Sequence, residues 1–162
     1  MAAVILLYRN LALLTRVSTT DRKIGALKIT TLFNIGIMVL TLTIILLDKA
    51  AILKLSESKE GLFAVAVLSI IMLFAGFISP RLPFNRHTGL RLPWTVQDEA
   101  TWNIAHRSIG YISFPLVLIY LALYFTIDNV KMISGAIVLL WIGIPSSISF
   151  VYWWKKSHGR MM

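Results

Sequence analysis

Four stretches of this chain carry no charged residue and are long enough to cross the apolar centre of a bilayer. They are residues 29–47, 61–79, 108–127 and 132–154, of 19, 19, 20 and 23 residues. An α-helix rising 1.5 Å per residue needs about 20 residues to span the hydrocarbon. Lipid offers no partner for backbone N–H and C=O groups, so each stretch is predicted to be a helix. The pattern implies an all-α fold: a polytopic membrane helix bundle of four transmembrane helices, forming one domain over residues 1–162.

The start of the chain is patterned differently. Residues 2–14 are apolar but short, and Arg9 falls in their middle. On a helix, Arg9, Arg16 and Lys23 recur every seven residues and share a face, with Leu6, Leu7, Leu11 and Leu14 largely elsewhere. This suits a helix lying in the interface with its basic face toward water, followed by a basic segment to residue 28. A short fifth span is the alternative. A cleaved signal peptide is not predicted, because no basic region precedes the run and no small-x-small site follows it.

Composition agrees with lipid as the main solvent. Of 162 residues, 57% are hydrophobic and 14% charged, with a mean hydropathy of +0.78; a soluble domain has about a quarter charged. The net charge of +9 would raise nucleic-acid binding in a soluble protein. Here the basic residues sit at the ends of apolar runs, where they set orientation and meet anionic lipid headgroups. Membrane lipids are thus expected partners and nucleic acid is not. The absence of cysteine excludes disulfides and thiolate chemistry.

The basic residues also predict which way the bundle points. Twelve of the 16 Lys and Arg fall in the opening segment, in connector 80–107 and in the tail, against Lys49, Lys54, Lys59 and Lys131 in the other two connections. By the positive-inside rule the opening stretch, the connector and the C-terminus face the cytoplasm. The tail "VYWWKK" repeats the message locally, with Tyr152, Trp153 and Trp154 at belt level before a basic stop. The short "TIDNVK" allows only an antiparallel hairpin between spans three and four.

Inside the spans the polar residues are mild. Asn34, Thr41, Thr43 and Ser69 are expected to hydrogen-bond between helices, and Gly143 with Ser147 to form a small-xxx-small contact. Pro115 and Pro145 each free a carbonyl one turn earlier and are expected to kink spans three and four. No ionisable residue lies at mid-membrane, which argues against an ion-coupled transporter.

Most of the remaining chemistry sits in one connector, "SPRLPFNRHTGLRLPWTVQDEATWNIAHRSIG". Its first half, rich in Pro and Gly, is expected to be an irregular loop. Thr95 then caps a helix, with Asp98 returning a bond to its backbone, and the helix runs on into span three. Glu99, Trp102, His106 and Gly110 fall on one stripe of it, with Arg107 adjacent. A metal site from the acids, His87 and His106 lacks the close HxxxH or HxH spacing of strong sites. A Glu99/His106 acid–base pair is chemically possible, but no nucleophile motif or phosphate-cradling loop accompanies it. No catalytic residue, metal or cofactor is assigned. A small membrane enzyme or structural subunit using the Glu99/His106 face is kept as the alternative reading. The plainest reading is a re-entry loop whose arginines hold phosphates, with Trp94 in the aromatic belt.

"GLRLPWTVQDEATWNIAHRSIGY" resembles the signature of the SdpI family of bacterial membrane proteins, with wider similarity over about residues 61–149. The matching positions are Gly89, Arg91, Pro93, Trp94, Thr95, Glu99, Trp102, His106, Arg107 and Gly110, with Asn85 fitting an upstream asparagine. Leu92 and Ala105 stand where that pattern has threonines. The resemblance implies a membrane immunity protein that protects a cell from a secreted membrane-active toxin peptide, with a signalling role through binding a cytosolic regulator. It implies no enzyme. It makes Asn85, Gly89, Arg91, Pro93, Trp94, Thr95, Glu99, Trp102, His106 and Arg107 the candidate binding residues.

Overall fold

A computed structural model describes residues 23–53, 55–84 and 89–159 of the chain. The expected helix within residues 2–14 lies outside this range. Four helices follow in order: α1 (Lys23–Lys49), α2 (Glu57–Ile78), α3 (Glu99–Thr126) and α4 (Val130–Ser157), with a single 3₁₀ turn, Ser79–Arg81, after α2. All four are long and apolar enough to cross a membrane.

The helices outrun the uncharged stretches, because charged side chains at an interface can reach water without ending the helix. α2 begins with Glu57 and Glu60 in its first turn, where the N-terminal dipole favours carboxylates. α4 starts where Asn129 caps it, accepting from Met132 N at 3.0 Å. α3 starts at Glu99 and reaches Thr126, so connector and span share one rod of 28 residues, about 42 Å long. Pro115 and Pro145 sit inside unbroken helices.

The core is a three-helix seam. Val65 and Met72 of α2, Leu116, Val117 and Tyr120 of α3, and Ile133 and Ile137 of α4 form its buried apolar cluster. Polar pairs stitch α3 to α4: Tyr120 Oη lies 2.6 Å from Ser134 Oγ, and Trp141 Nε1 donates to Ser113 Oγ at 2.8 Å. α1 packs on α2 by a Phe33–Phe74 stack with centroids 3.6 Å apart and on the start of the connector by Leu27 against Leu82.

Two expectations about packing are corrected. Close helix approach occurs not at Gly143 and Ser147, which are exposed with open space around Gly143, but between α2 and α3. A Cβ on Gly76 would come within 2.5 Å of Ser113 Cβ, and one on Gly110 within 2.6 Å of Pro80 Cγ. The interhelical hydrogen bonds likewise come from other residues than expected. Thr43 bonds back to Val39 O of its own helix, the usual outlet for a helical threonine. Asn34 is exposed, and Thr41 Oγ1 and Ser69 Oγ find no partner among the described residues.

Candidate functional site: the connector between α2 and α3

The connector is built around a stacked pair one helical turn apart. Trp102 and His106 of α3 stack with centroids 3.8 Å apart, and both are buried. Phe84 meets Trp102 edge-on at 5.7 Å, a favourable aromatic geometry. His106 Nδ1 lies 2.9 Å from Trp102 O, and Leu90 N–H donates to His106 Nε2 at 3.1 Å. An acceptor at Nε2 and a carbonyl opposite Nδ1 fix a neutral ring protonated at Nδ1. The imidazole therefore pins the loop onto α3, leaving neither nitrogen for a proton shuttle.

Gly89 lets the loop come that close. Its φ is +99°, and a Cβ there would overlap His106 Nε2 and approach Trp102 Cη2 to 3.1 Å. Only glycine meets both demands.

Thr95 closes the next turn. Pro93 sits second in the turn 92–95, where its fixed φ suits a turn closed by Thr95 N donating to Leu92 O at 3.0 Å. The buried Thr95 hydroxyl accepts from Leu92 N at 2.8 Å and faces Leu90 O at 2.9 Å and Leu92 O at 3.1 Å. Thr95 is thus a loop knot rather than the expected helix cap. The cap is Asp98, whose carboxylate accepts from Thr101 N at 3.0 Å. Thr101 is a helical position, so Asp98 meets the first free amides of α3 directly.

Two contacts tie this end to α4. Trp94 Nε1 donates to Ser149 Oγ at 3.1 Å, with its ring edge-on to Phe150 at 5.0 Å. Lys156 Nζ pairs with Asp98 Oδ1 at 2.7 Å. Partial burial works against the ionised Asp98, but the hydrogen bonds from Lys156 and Thr101 prevail and hold its carboxyl down to about 2.

The ten sequence-derived residues therefore divide by environment. Thr95, Trp102 and His106 are buried and structural, Trp94 is half-buried against α4, and Gly89 is exposed with a positive φ. Arg91, Pro93, Glu99 and Arg107 are exposed. Asn85 lies outside the described residues. Glu99 and His106 do not assemble as an acid–base pair. Seven residues separate them, about 10 Å along the axis, and both His106 nitrogens are engaged. Among the described residues no group of three metal-ligating side chains converges. Sequence reasoning missed Ser149 and Lys156, which lie on α4, and Phe84, in the connector itself; none of the three carries a motif.

Residues 81–152 match the SdpI/YfhL protein family, from the connector through α3 and most of α4. The match starts later than the similarity expected from residue 61, leaving α1 and all of α2 outside it. The chain is 32% identical over 92 residues to the immunity protein SdpI of Bacillus subtilis (strain 168), an alignment covering 56% of this chain and 44% of that relative. It thus spans less than half the length of the curated relative it matches. No solved structure matches.

Proposed function

We propose that this protein is a non-enzymatic membrane immunity protein of the SdpI type, protecting its cell against a secreted membrane-active toxin peptide. The supporting observation is that the matched segment contains the connector, whose loop is cross-bonded to α3 and α4. The loop is held by His106, Thr95 and Trp94, and it presents Arg91, Glu99 and Arg107 outward. Twelve of 16 basic residues at that end favour a cytoplasmic connector and C-terminus. The exposed Arg91, Glu99 and Arg107 would then recognise a cytosolic regulator, while the buried signature residues hold them in place. Arginine's planar fork suits carboxylate or phosphate partners.

Expression in a toxin-sensitive bacterium tests the reading. Survival against at least one of a panel of secreted membrane-active peptides, including any encoded beside the gene, is expected to rise. Equal killing of expressing and empty cells by the whole panel removes the immunity reading. Orientation is tested separately with single cysteines at Ser58 and Ser157 and an impermeant thiol reagent on intact cells. Labelling at 58 and not at 157 is expected.

A further inference from the structure

In the half nearer the connector α1 touches α2 through Phe33–Phe74 and the start of the connector through Leu27–Leu82, and a gap between the two helices opens toward the opposite end. There a cleft of ≈ 510 Å³ opens between them, walled by apolar residues such as Ile44, Phe63 and Val67, with Asp48 and Glu60 at its mouth. A second cleft, of ≈ 630 Å³, lies on the other side of the α2 N-terminus and is lined by Glu57, Glu60, Asp128 and Lys131. The two share Glu60 and Ala64, so they form one surface that straddles the first turn of α2.

The charge of this surface runs against that of the molecule. The chain is +9 overall, yet the two clefts are lined by four carboxylates (Asp48, Glu57, Glu60 and Asp128) against the two ammonium groups of Lys49 and Lys131. None of the four carboxylates makes an ion pair among the described residues. Asp48 is partly engaged, accepting from Leu55 N at 2.8 Å. Carboxylates that outnumber the lining cations, set above an apolar wall that descends into the bilayer, complement an occupant that is cationic and amphipathic. A lipid with an anionic headgroup would be repelled at the mouth.

We propose that the surface formed by the α1–α2 cleft and the α2 N-terminus, at the membrane face opposite the connector, docks a cationic amphipathic peptide. Its apolar side would lie along Ile44, Phe63 and Val67 and its basic side against Glu57, Glu60 and Asp128. The inference rests on the immunity reading, in which the toxin arrives from outside, and it places first contact with that peptide away from the signature.

The test uses the full chain in nanodiscs of zwitterionic lipid and a fluorescent helical peptide of leucine and lysine, with empty nanodiscs as background. Saturable binding is expected. The double variant Glu57→Gln/Glu60→Gln should weaken it about tenfold, with the residual binding less sensitive to salt. Ala64→Trp, which fills both clefts without touching a charge, should abolish it. A leucine–serine peptide of equal length should not bind. Binding no better than to empty nanodiscs overturns the proposal, as does undiminished binding to both variants. Survival assays separate this from the immunity reading: protection by wild type that both variants keep in full removes the docking surface and leaves immunity standing. Saturable binding that the variants weaken, in cells that gain no resistance, supports the docking surface and removes immunity.

Discussion

Helices α1 and α3 are nearly equal in length and both are apolar enough for the membrane, but the rest of the molecule uses them differently. Of the most apolar window of α1, 6% is buried, against 28% for α3. α3 forms the seam with α2 and α4, carries the Trp102–His106 stack and is braced at its N-terminus by Lys156 and Trp94 through the loop. α1 offers Met38, Val39, Leu42 and Leu46 to lipid. Apolar character alone does not distinguish the two. Small residues and polar pairs do, because in lipid they, rather than hydrophobicity, drive helices together.

The contrast can be broken most forcefully at Trp102. Trp102→Ala removes a fully buried indole and is expected to cost about 4 kcal/mol in reversible unfolding in mild detergent. Gly89→Ala should follow at about 3 kcal/mol, from a positive φ combined with overlap on His106; Gly36→Ala in α1, with open space around it, is the matched control and should not destabilise. His106→Leu keeps the bulk but strands the Leu90 amide, while the Trp102 carbonyl keeps its helical partner, for about 2 kcal/mol. A value near zero there would mean that stacking alone holds the loop.

Smaller effects sharpen the comparison. Asp98→Ala removes the α3 cap and is expected to cost about 1 kcal/mol, and Lys156→Ala should cost less. Because the folded Asp98 carboxyl is held at about 2 against an ordinary 3.8, its contribution is fully present above pH 3.8 and is lost as pH falls through 2. The gap between wild type and Lys156→Ala should accordingly be flat from pH 5 to 8 and shrink in strong acid. Leu46→Ala on the lipid face of α1 should stay within about 0.5 kcal/mol. A larger loss would reveal a packing partner for that face.

What could be read from the residues follows the same divide. Uncharged runs located four spans because lipid imposes a simple rule on every residue of a crossing helix. The connector signature brought Gly89, Trp102 and His106 forward as candidates, and the structure joins those three. Their roles were not legible. Thr95 has the chemistry of a cap, and only the path of the loop turns its hydroxyl inward to Leu90 and Leu92. Glu99 and His106 share a stripe, yet two turns of helix lie between them. The Gly76–Ser113 contact was invisible, because neither residue belongs to a spaced motif on its own helix.

The α3–α4 hairpin is joined at one end by the turn 127–129 and at the other by Trp94–Ser149 and Asp98–Lys156. Two rails fixed at both ends resist sliding past one another. A load on the Asp128 turn would then be shared by both rails, and the same frame is packed closely on α2 at Gly76 and on Pro80 at Gly110. In mechanical terms the hairpin is a braced frame, with Arg91, Glu99 and Arg107 at one end of it and the surface at Asp128 at the other.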